Sequence, residues 1–161
     1  MVICVSDYDK LYDRVFRMLG TLTPLRGHDC GTLCGVSCCS GGDGDGMLLF
    51  PGEKTELPVK EAELGRLAVC SGSCERDKRP LSCRIFPFFP TVGEKGRVSV
   101  RIDSRAMGIC PLAQYSENVI FDRRFVRRLG RAGRLLARDE ECRSFMREVT
   151  LDIEALERLY K

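Results

Sequence analysis

The cysteines of this chain are the residues whose number and spacing point most directly to chemistry. Eight of the ten fall within 81 residues, whereas Cys4 and Cys142 lie near the two ends. Thiolates are soft ligands that suit zinc, iron–sulfur clusters and cuprous copper, and zinc and iron–sulfur sites usually take four ligands. The clustering therefore predicts a sulfur-rich metal centre, and its expected ligands are Cys30, Cys34, Cys38, Cys39, Cys70, Cys74, Cys83 and Cys110.

The spacing of these ligands bears on how many ions they hold. Cys30, Cys34 and Cys38 follow one another at intervals of four residues, and Cys39 comes directly after Cys38. Adjacent cysteines have difficulty aiming both sulfurs at one ion, so we expect this pair to serve two centres or to bridge neighbouring ones. Two four-sulfur sites, or one binuclear site with some thiols left over, are both consistent with eight cysteines. Because the ligands come from three segments, metal binding is expected to contribute directly to folding.

The composition and the opening residues favour a globular protein in a reducing compartment, without a membrane span. Hydrophobic residues make up 43% and charged residues 30% of the sequence, and no stretch approaches the roughly 20 apolar residues of a membrane span. The opening MVICVSDYDK carries acids where an export signal would carry a basic head and an apolar run. We therefore expect a cytoplasmic location and no membrane partner, and in that compartment clustered cysteines bind metal rather than form disulfides.

Basic residues, the single histidine and a glycine–aspartate run also bear on the chemistry of the predicted metal centre. Five basic residues close to the cysteines in sequence are expected to compensate thiolate charge: Arg26, Arg76, Lys78, Arg79 and Arg84. His28 lies two residues before Cys30, and whether it replaces a sulfur ligand stays open. No third group or oxyanion site accompanies a Cys–His nucleophile, so the sequence predicts no catalytic residue. The glycine–aspartate run at 42–46 fails the EF-hand pattern, since Met47 and Lys54 occupy the fifth and twelfth positions.

A run of seven arginines between 123 and 138 suggests a different partner. Five of them share one helical face, as in a phosphate-contacting surface: Arg123, Arg127, Arg131, Arg134 and Arg138. The segment that follows, 139–161, contains seven acids against four bases, which would allow it to fold back and pair with the arginines, whereas a charge run is usually a solvated face. No base-reading motif accompanies the run. A nucleic-acid partner is therefore not expected, and it is kept only as an alternative.

Hydrophobic periodicity indicates the elements that must position these residues. It predicts helices over 7–19 and 60–69, a short buried strand over 47–50, and a β-hairpin from 85–92 and 97–102. The segment 116–161 is free of proline and helical in character. These elements predict an α+β fold in one domain, 1–161. Its cysteine-rich metal-binding core spans 27–111, has a small irregular architecture with a short hairpin, and is flanked by N- and C-terminal helices.

The cysteine motifs also carry a resemblance. The first cluster reads CxxxCxxxCC over Cys30 to Cys39, and Cys70 and Cys74 follow. The segment 79–87 then reads RPLSCRIFP. Together these motifs resemble a bacterial cysteine-cluster family described as a zinc- or iron-chelating domain. The resemblance covers about half of the chain, 27–111, and implies metal binding. A related cluster occurs in a flagellin lysine methylase, which implies an iron–sulfur cluster as one form of the centre.

The sequence therefore predicts a metal-binding protein that holds zinc or iron, with an iron–sulfur cluster as one form of the iron. Its expected role is structural or that of a metal carrier. An iron–sulfur enzyme that carries out redox chemistry or modifies a protein is the alternative from another class. Whether the chain is an enzyme stays open, and the sequence points to no particular protein partner.

Overall fold

The computed structural model describes residues 5–39, 46–72 and 74–159. The predicted N-terminal helix is confirmed, and it ends where Gly20 donates its N–H to the Phe16 carbonyl. The predicted helical segment at the C-terminus is resolved into two long helices. The α-helices in chain order are α1 (Val5–Leu19), α2 (Gly31–Cys34), α3 (Leu81–Ile85), α4 (Pro111–Gln114), α5 (Arg123–Leu136) and α6 (Glu140–Leu159).

Five short strands form two antiparallel sheets. They are β1 (Gly46–Leu48), β2 (Val59–Ala62), β3 (Gly65–Val69), β4 (Phe88–Val92) and β5 (Val98–Ile102). The first sheet has the order β1-β3-β2, and the second is the β4–β5 hairpin. With helices at both ends of the chain and a little antiparallel sheet between them, the fold is α+β, as predicted.

The predicted helix over 60–69 is wrong, because this segment is the β2–β3 hairpin. Its apolar spacing fits a helix, but β3 pairs with β1 through Met47 and Ala68 and with β2 through Lys60 and Leu67. These two sets of hydrogen bonds outweigh a weak local helix preference. Gly65 begins β3 with a φ of +122°, which lies outside the helical region and is open chiefly to glycine.

The second predicted hairpin is confirmed, with a later start. Ile85 belongs to α3, and the first strand begins at Phe88. Every residue of β4 is buried, since α5 and α6 both pack on this hairpin. The predicted buried segment 47–50 is a strand only as far as Leu48, and Leu49 and Phe50 follow it into the core.

One large apolar cluster joins α1, α5, α6 and the β4–β5 hairpin, and we call these four elements the helical frame. Its centre includes Val15, Phe125, Leu129 and Ile153, each with no exposed surface. A smaller cluster near α4 consists of Ala106, Cys110, Leu112 and Ala113. Of the glycine–aspartate run at 42–46, only Gly46 lies within the described residues, as the first residue of β1. Within the described part of the chain, no helix is long and apolar enough to cross a membrane.

Candidate metal centre

The first cysteine cluster is carried by one turn of helix followed by a chain reversal. Cys30 precedes α2 and Cys34 ends it, so the two thiols lie one turn apart, and the Cys34 thiol donates to the Cys30 carbonyl at 3.7 Å. Gly35 and Val36 then both adopt positive φ, of 60° and 54°. That conformation is strained for a β-branched residue such as Val36, and it turns the chain into the 3₁₀ turn Ser37–Cys39. The reversal brings Cys38 and Cys39 back towards the start of the cluster.

The second cysteine segment begins at the end of β3 in the three-stranded sheet and ends in α3, which packs into the main apolar cluster. Cys70 directly follows β3, and its thiol donates to the Cys39 carbonyl at 3.9 Å. Cys74 comes just before a 3₁₀ turn over Arg76–Lys78. Cys83 lies inside α3, whose Leu81 and Ile85 belong to the main apolar cluster. The frame therefore fixes the position of Cys83 more firmly than that of Cys74.

Cys110 arrives from a third segment, at the start of α4. It is 6% exposed, and its N–H donates to the Ala106 carbonyl at 2.8 Å. Cys30 packs against the small apolar cluster that contains Cys110. The packing around α4 thus joins the third cysteine segment to the first.

Apart from Cys83 and Cys110, the predicted ligands lie in a part of the chain with almost no apolar core. We call residues 28–39, 70–72 and 74–79 the cysteine lobe. None of its residues is fully buried. Its helical turns bury no side chain of their own. The cysteine lobe therefore lacks the apolar burial that stabilises the rest of the molecule.

A small cavity lies among these thiols. Its lining includes six of the eight predicted ligands, namely Cys30, Cys38, Cys39, Cys70, Cys74 and Cys83. Its volume of about 40 Å³ is little more than the share of liquid volume that one water molecule occupies. A cavity of this size has room for an ion among the thiols.

Electrostatic interactions connect four of the thiols into one group. Burial raises the pKa of Cys30, and the Asp29 carboxylate and then the thiols of Cys110 and Cys34 raise it further. Burial raises the pKa of Cys38 to about 12, and Cys39, Cys30 and Cys34 add to that rise. We call Cys30, Cys34, Cys38 and Cys110 the first cysteine group.

The other four thiols form a second group. The pKa of Cys39 is raised by burial and then by Cys70, with a smaller effect from Cys74. The pKa of Cys83 is raised by burial and then by Cys74, Cys39 and Cys70, with a last contribution from Cys38 of the first group. We call Cys39, Cys70, Cys74 and Cys83 the second cysteine group. Cys38 and Cys39 join the two groups, with their Sγ atoms 4.0 Å apart.

Two of the five predicted charge-compensating residues reach the cavity. Arg76 and Arg79 both line it, and Asp29 lies opposite them at 4.0 Å and 3.6 Å respectively. Burial lowers the pKa of Arg79, but interaction with the Cys74 thiol and with Asp29 outweighs this effect and raises it, while the buried Nε–H of Arg79 has no partner among the described atoms. A buried donor without an acceptor is costly, and a thiolate would be a suitable acceptor for it. Sequence analysis missed Asp29, although its position directly before Cys30 was a usable signal.

The other three predicted compensators lie elsewhere. Arg84 stacks over the Phe16 ring at 4.3 Å and donates to the Arg79 and Asp77 carbonyls. Lys78 pairs with Glu56 and Glu75, both at 3.6 Å. Arg26 is exposed and does not line the cavity.

Several cysteine-associated residues stand apart from the two groups. His28 is exposed and does not line the cavity. Cys142 is buried in the frame, where its Sγ lies 3.8 Å from the Tyr12 hydroxyl. Cys4 lies outside the described residues. Across the ranges that the structure describes, no three His, Cys, Asp or Glu side chains are already arranged to hold a metal ion. The cysteines are thus brought near one another without forming a finished coordination sphere.

A buried carboxylate beside the cysteine segments connects two of the elements that position them. Glu53 is 2% exposed and accepts hydrogen bonds from the Phe50 N–H at 3.0 Å and the Leu81 N–H at 2.6 Å. Burial raises its pKa to about 7, outweighing the opposite effect of these two donors and of Arg66 and Arg84. Glu53 thereby ties the β1 segment to the start of α3, the helix that carries Cys83.

Comparison with known proteins gives no relative from which a function could be transferred. No family model, no curated protein and no solved structure matches this chain.

Proposed function

We propose that this protein binds zinc or iron through its eight central cysteines and uses the metal at least to hold the cysteine lobe together. The observation that carries the proposal is the convergence of eight thiols, six of which lie in a lobe with almost no apolar core. Four soft ligands around one ion would supply the cross-links that such a region needs. The expected location remains the reducing cytoplasm, where free thiols persist.

The donor set supports two metal sites rather than one. Each cysteine group contains three thiols from the cysteine lobe and one from better-packed surroundings, Cys110 in the first group and Cys83 in the second. Four thiolates are the usual complement of a structural zinc and of an iron–sulfur cluster. We therefore assign one four-sulfur site to each group, with Cys38 and Cys39 serving different sites.

Charge compensation is consistent with this arrangement. Eight thiolates and two divalent ions together contribute a charge of −4, which takes the formal net charge from +3 to about −1. Arg76 and Arg79 lie at the cavity where the thiolate charge would develop. The unpartnered Arg79 Nε–H would then gain an acceptor.

The thiol environments do not favour a cysteine nucleophile. Reactive cysteines have a lowered pKa, in electropositive and partly exposed surroundings. Every cysteine with a resolved shift has a raised pKa, and burial is the first cause in each case. A bound cation would reverse this preference at its ligands, because a coordinating thiol is deprotonated.

The direct test is elemental analysis with an absorption spectrum on untagged protein purified without oxygen. We expect about two metal ions per chain if both groups bind zinc. Iron with sulfide and a brown chromophore would instead identify iron–sulfur clusters and support a redox or protein-modifying enzyme. Protein that contains neither metal, with all its thiols free to titrate, would show the proposal to be wrong.

Single substitutions test the division into two groups. Cys34→Ser should remove the metal of the first group and Cys83→Ser that of the second, so each variant should keep about half of the metal. Cys142→Ser is the matched control, because Cys142 lies in the frame and its loss should leave metal content unchanged. Loss of all metal in both cysteine-group variants, with the fold of the frame intact, would replace two sites by one shared centre.

A metal carrier and a structural metal protein differ in exchange rate. A carrier should transfer its ion to a competing chelator while the frame stays folded, whereas a structural site should release it only as the cysteine lobe unfolds. Chelator competition followed together with circular dichroism separates these two roles.

A further inference from the structure

The arginine run of α5 forms an exposed basic surface whose charges are not neutralised within the described residues. Arg128 donates to the Met18 carbonyl at 3.0 Å, and Arg124 pairs with Asp122 at 3.3 Å. The other five arginines are exposed, and no described carboxylate lies within 4.0 Å of them: Arg123, Arg127, Arg131, Arg134 and Arg138. The surface therefore keeps its positive charge in the folded chain.

Four of the seven acids in the segment 139–161 bind residues other than these arginines. In α6, Glu154 and Glu157 both bind Arg101 of β5, and Glu141 accepts a hydrogen bond from Tyr8. Asp139 accepts from the Cys142 N–H at the start of the same helix. Within the described residues the tail therefore does not pair with the arginine run, which forms the solvated face that a charge run usually forms, and no described carboxylate of the tail competes with an anionic partner.

Arginines from two helices converge beside this surface. A groove of about 280 Å³ lies between α1 and α5. Its lining consists of Arg14, Met18, Arg131, Arg134, Leu135 and Arg138. No carboxylate is among these residues, and the groove has room for roughly nine water volumes, more than a single small anion fills. Four guanidinium groups around one groove match phosphate, which arginine can bind with two parallel hydrogen bonds.

We infer that this arginine groove binds the phosphodiester backbone of a nucleic acid. The exposed arginines extend beyond the groove, and Arg123 to Arg134 cover about 16 Å of helix. That length matches roughly five phosphates along one strand, so the surface suits a chain of phosphates better than a single one. Contacts of this kind carry no sequence information, which agrees with the absence of a base-reading motif from the sequence.

A membrane surface is a poorer match to the same helix. Interfacial helices insert an apolar face among lipids. The apolar face of α5 is already used, because Phe125, Leu129 and Leu136 are fully buried in the frame. The inference is independent of the metal proposal, since no cysteine of either group lines the groove.

Fluorescence anisotropy of the full chain with a labelled duplex of about 20 base pairs tests the inference. Four phosphate contacts predict a slope of log affinity against log salt near −3.6, or a loss of roughly 150-fold between about 50 and 200 mM salt. The variant Arg131→Gln/Arg134→Gln/Arg138→Gln should flatten that slope by about 2.7. Replacing the same three residues by lysine should retain most of the slope, because the charges remain.

The matched control removes three exposed charges from a different face, as Lys95→Gln/Arg97→Gln/Arg143→Gln. Its slope of log affinity against log salt should differ from the wild-type slope by less than about 0.9, the change expected for one phosphate contact. An equal slope in the groove and control variants would overturn the inference. So would displacement of the duplex by inorganic phosphate at matched ionic strength, or equally tight binding of anionic phospholipid vesicles. Melting temperatures of both variants confirm that each remains folded.

Discussion

The helical frame and the cysteine lobe are stabilised in different ways. Nineteen buried residues make up the main apolar cluster, which extends through the frame and adjoining segments, while no described residue of the cysteine lobe is buried. The frame can therefore fold on apolar burial, at roughly 25 cal/mol for each Å² removed from water. The cysteine lobe gains little from this source, and its polar turns need another means of support.

The frame supplies the apolar packing that holds the chain together, whereas the cysteine lobe carries the residues that we propose bind metal. Frame residues such as Phe125 and Val149 make contacts that any well-packed apolar core provides. The lobe instead brings together thiols, Arg79 and Asp29. These polar groups add little to stability unless a ligand binds them. The two regions should consequently respond to different perturbations, one to changes in packing and the other to loss of metal.

Metal removal should produce the largest difference between the two regions. We expect a chelator to lower amide protection in residues 28–39 and 74–79 by at least about 100-fold, because the proposed metal supplies most of the local stability. Amides of α5 and α6 should keep their protection, since their contacts do not involve the cysteines. Hydrogen exchange measured by mass spectrometry before and after chelation gives both values in one experiment. Equal loss in α6 would mean that the two regions unfold as one unit.

Glu53 connects the two regions, and its ionisation should make stability depend on pH. Its pKa is about 7 in the folded chain and near 4.5 when unfolded, so folding favours the protonated carboxyl. The resulting stabilisation is complete below pH 4.5 and is lost as the pH rises through 7. The full difference is about 3 kcal/mol. Glu53→Gln should remove this dependence, whereas Glu94→Gln, an exposed surface change, should retain it.

Urea unfolding between pH 5 and pH 8 measures this effect for the wild type and both variants. The difference between the wild type and Glu53→Gln isolates Glu53 from the cysteines, which titrate in all three proteins. An identical pH dependence in the wild type and Glu53→Gln would show that Glu53 is already charged in the fold at pH 5.

Two glycines of α5 provide the smallest effect and test the packing of the frame alone. A Cβ at Gly133 would lie 2.7 Å from Pro90 Cβ and 3.1 Å from Val98 Cγ1, on the hairpin that α5 covers. Gly133→Ala should therefore destabilise the chain by about 1–3 kcal/mol through overpacking. At Gly130 the nearest atoms are 3.6 Å and 3.7 Å away, and Gly130→Ala should stabilise by up to about 1 kcal/mol through helix propensity.

Denaturant midpoints of the two variants should move in opposite directions, while their metal content stays equal to that of the wild type. A gain in stability for Gly133→Ala would mean that α5 and the β4–β5 hairpin are less closely packed than described.

Elements with strong local periodicity were predictable from the sequence. The apolar spacing of α1 and the alternation of β5 after the glycine-bounded turn each reflect a pattern complete within the segment. The segment 60–69 was not predictable in this way, because its strands depend on pairing with β1, which lies more than ten residues earlier. Local preference is a weak prior where such tertiary pairing competes with it.

The site shows the same division between local and distant information. Counting and spacing identified the eight clustered cysteines, but the assignment of each thiol to a group depends on the reversal at Gly35 and Val36 and on the path from β3 to α3. The roles of Asp29 and Glu53 depend on residues about fifty and about thirty positions away, respectively. Such partners leave no periodic signal in a single sequence.

The adjacency of Cys38 and Cys39 also makes the two cysteine groups thermodynamically dependent on each other. Two unit charges 4 Å apart repel by about 4 kcal/mol at an effective dielectric constant near 20, so ionising one of these thiols hinders the other. Under the proposed function, a filled group of four thiolates and one divalent ion still carries a net charge of about −2, so it makes the thiols of the other group harder to ionise. The converse holds as well, because coupling between two binding equilibria is reciprocal. Filling of the two groups is then anticooperative, and chains that carry a single ion should be well populated in a titration.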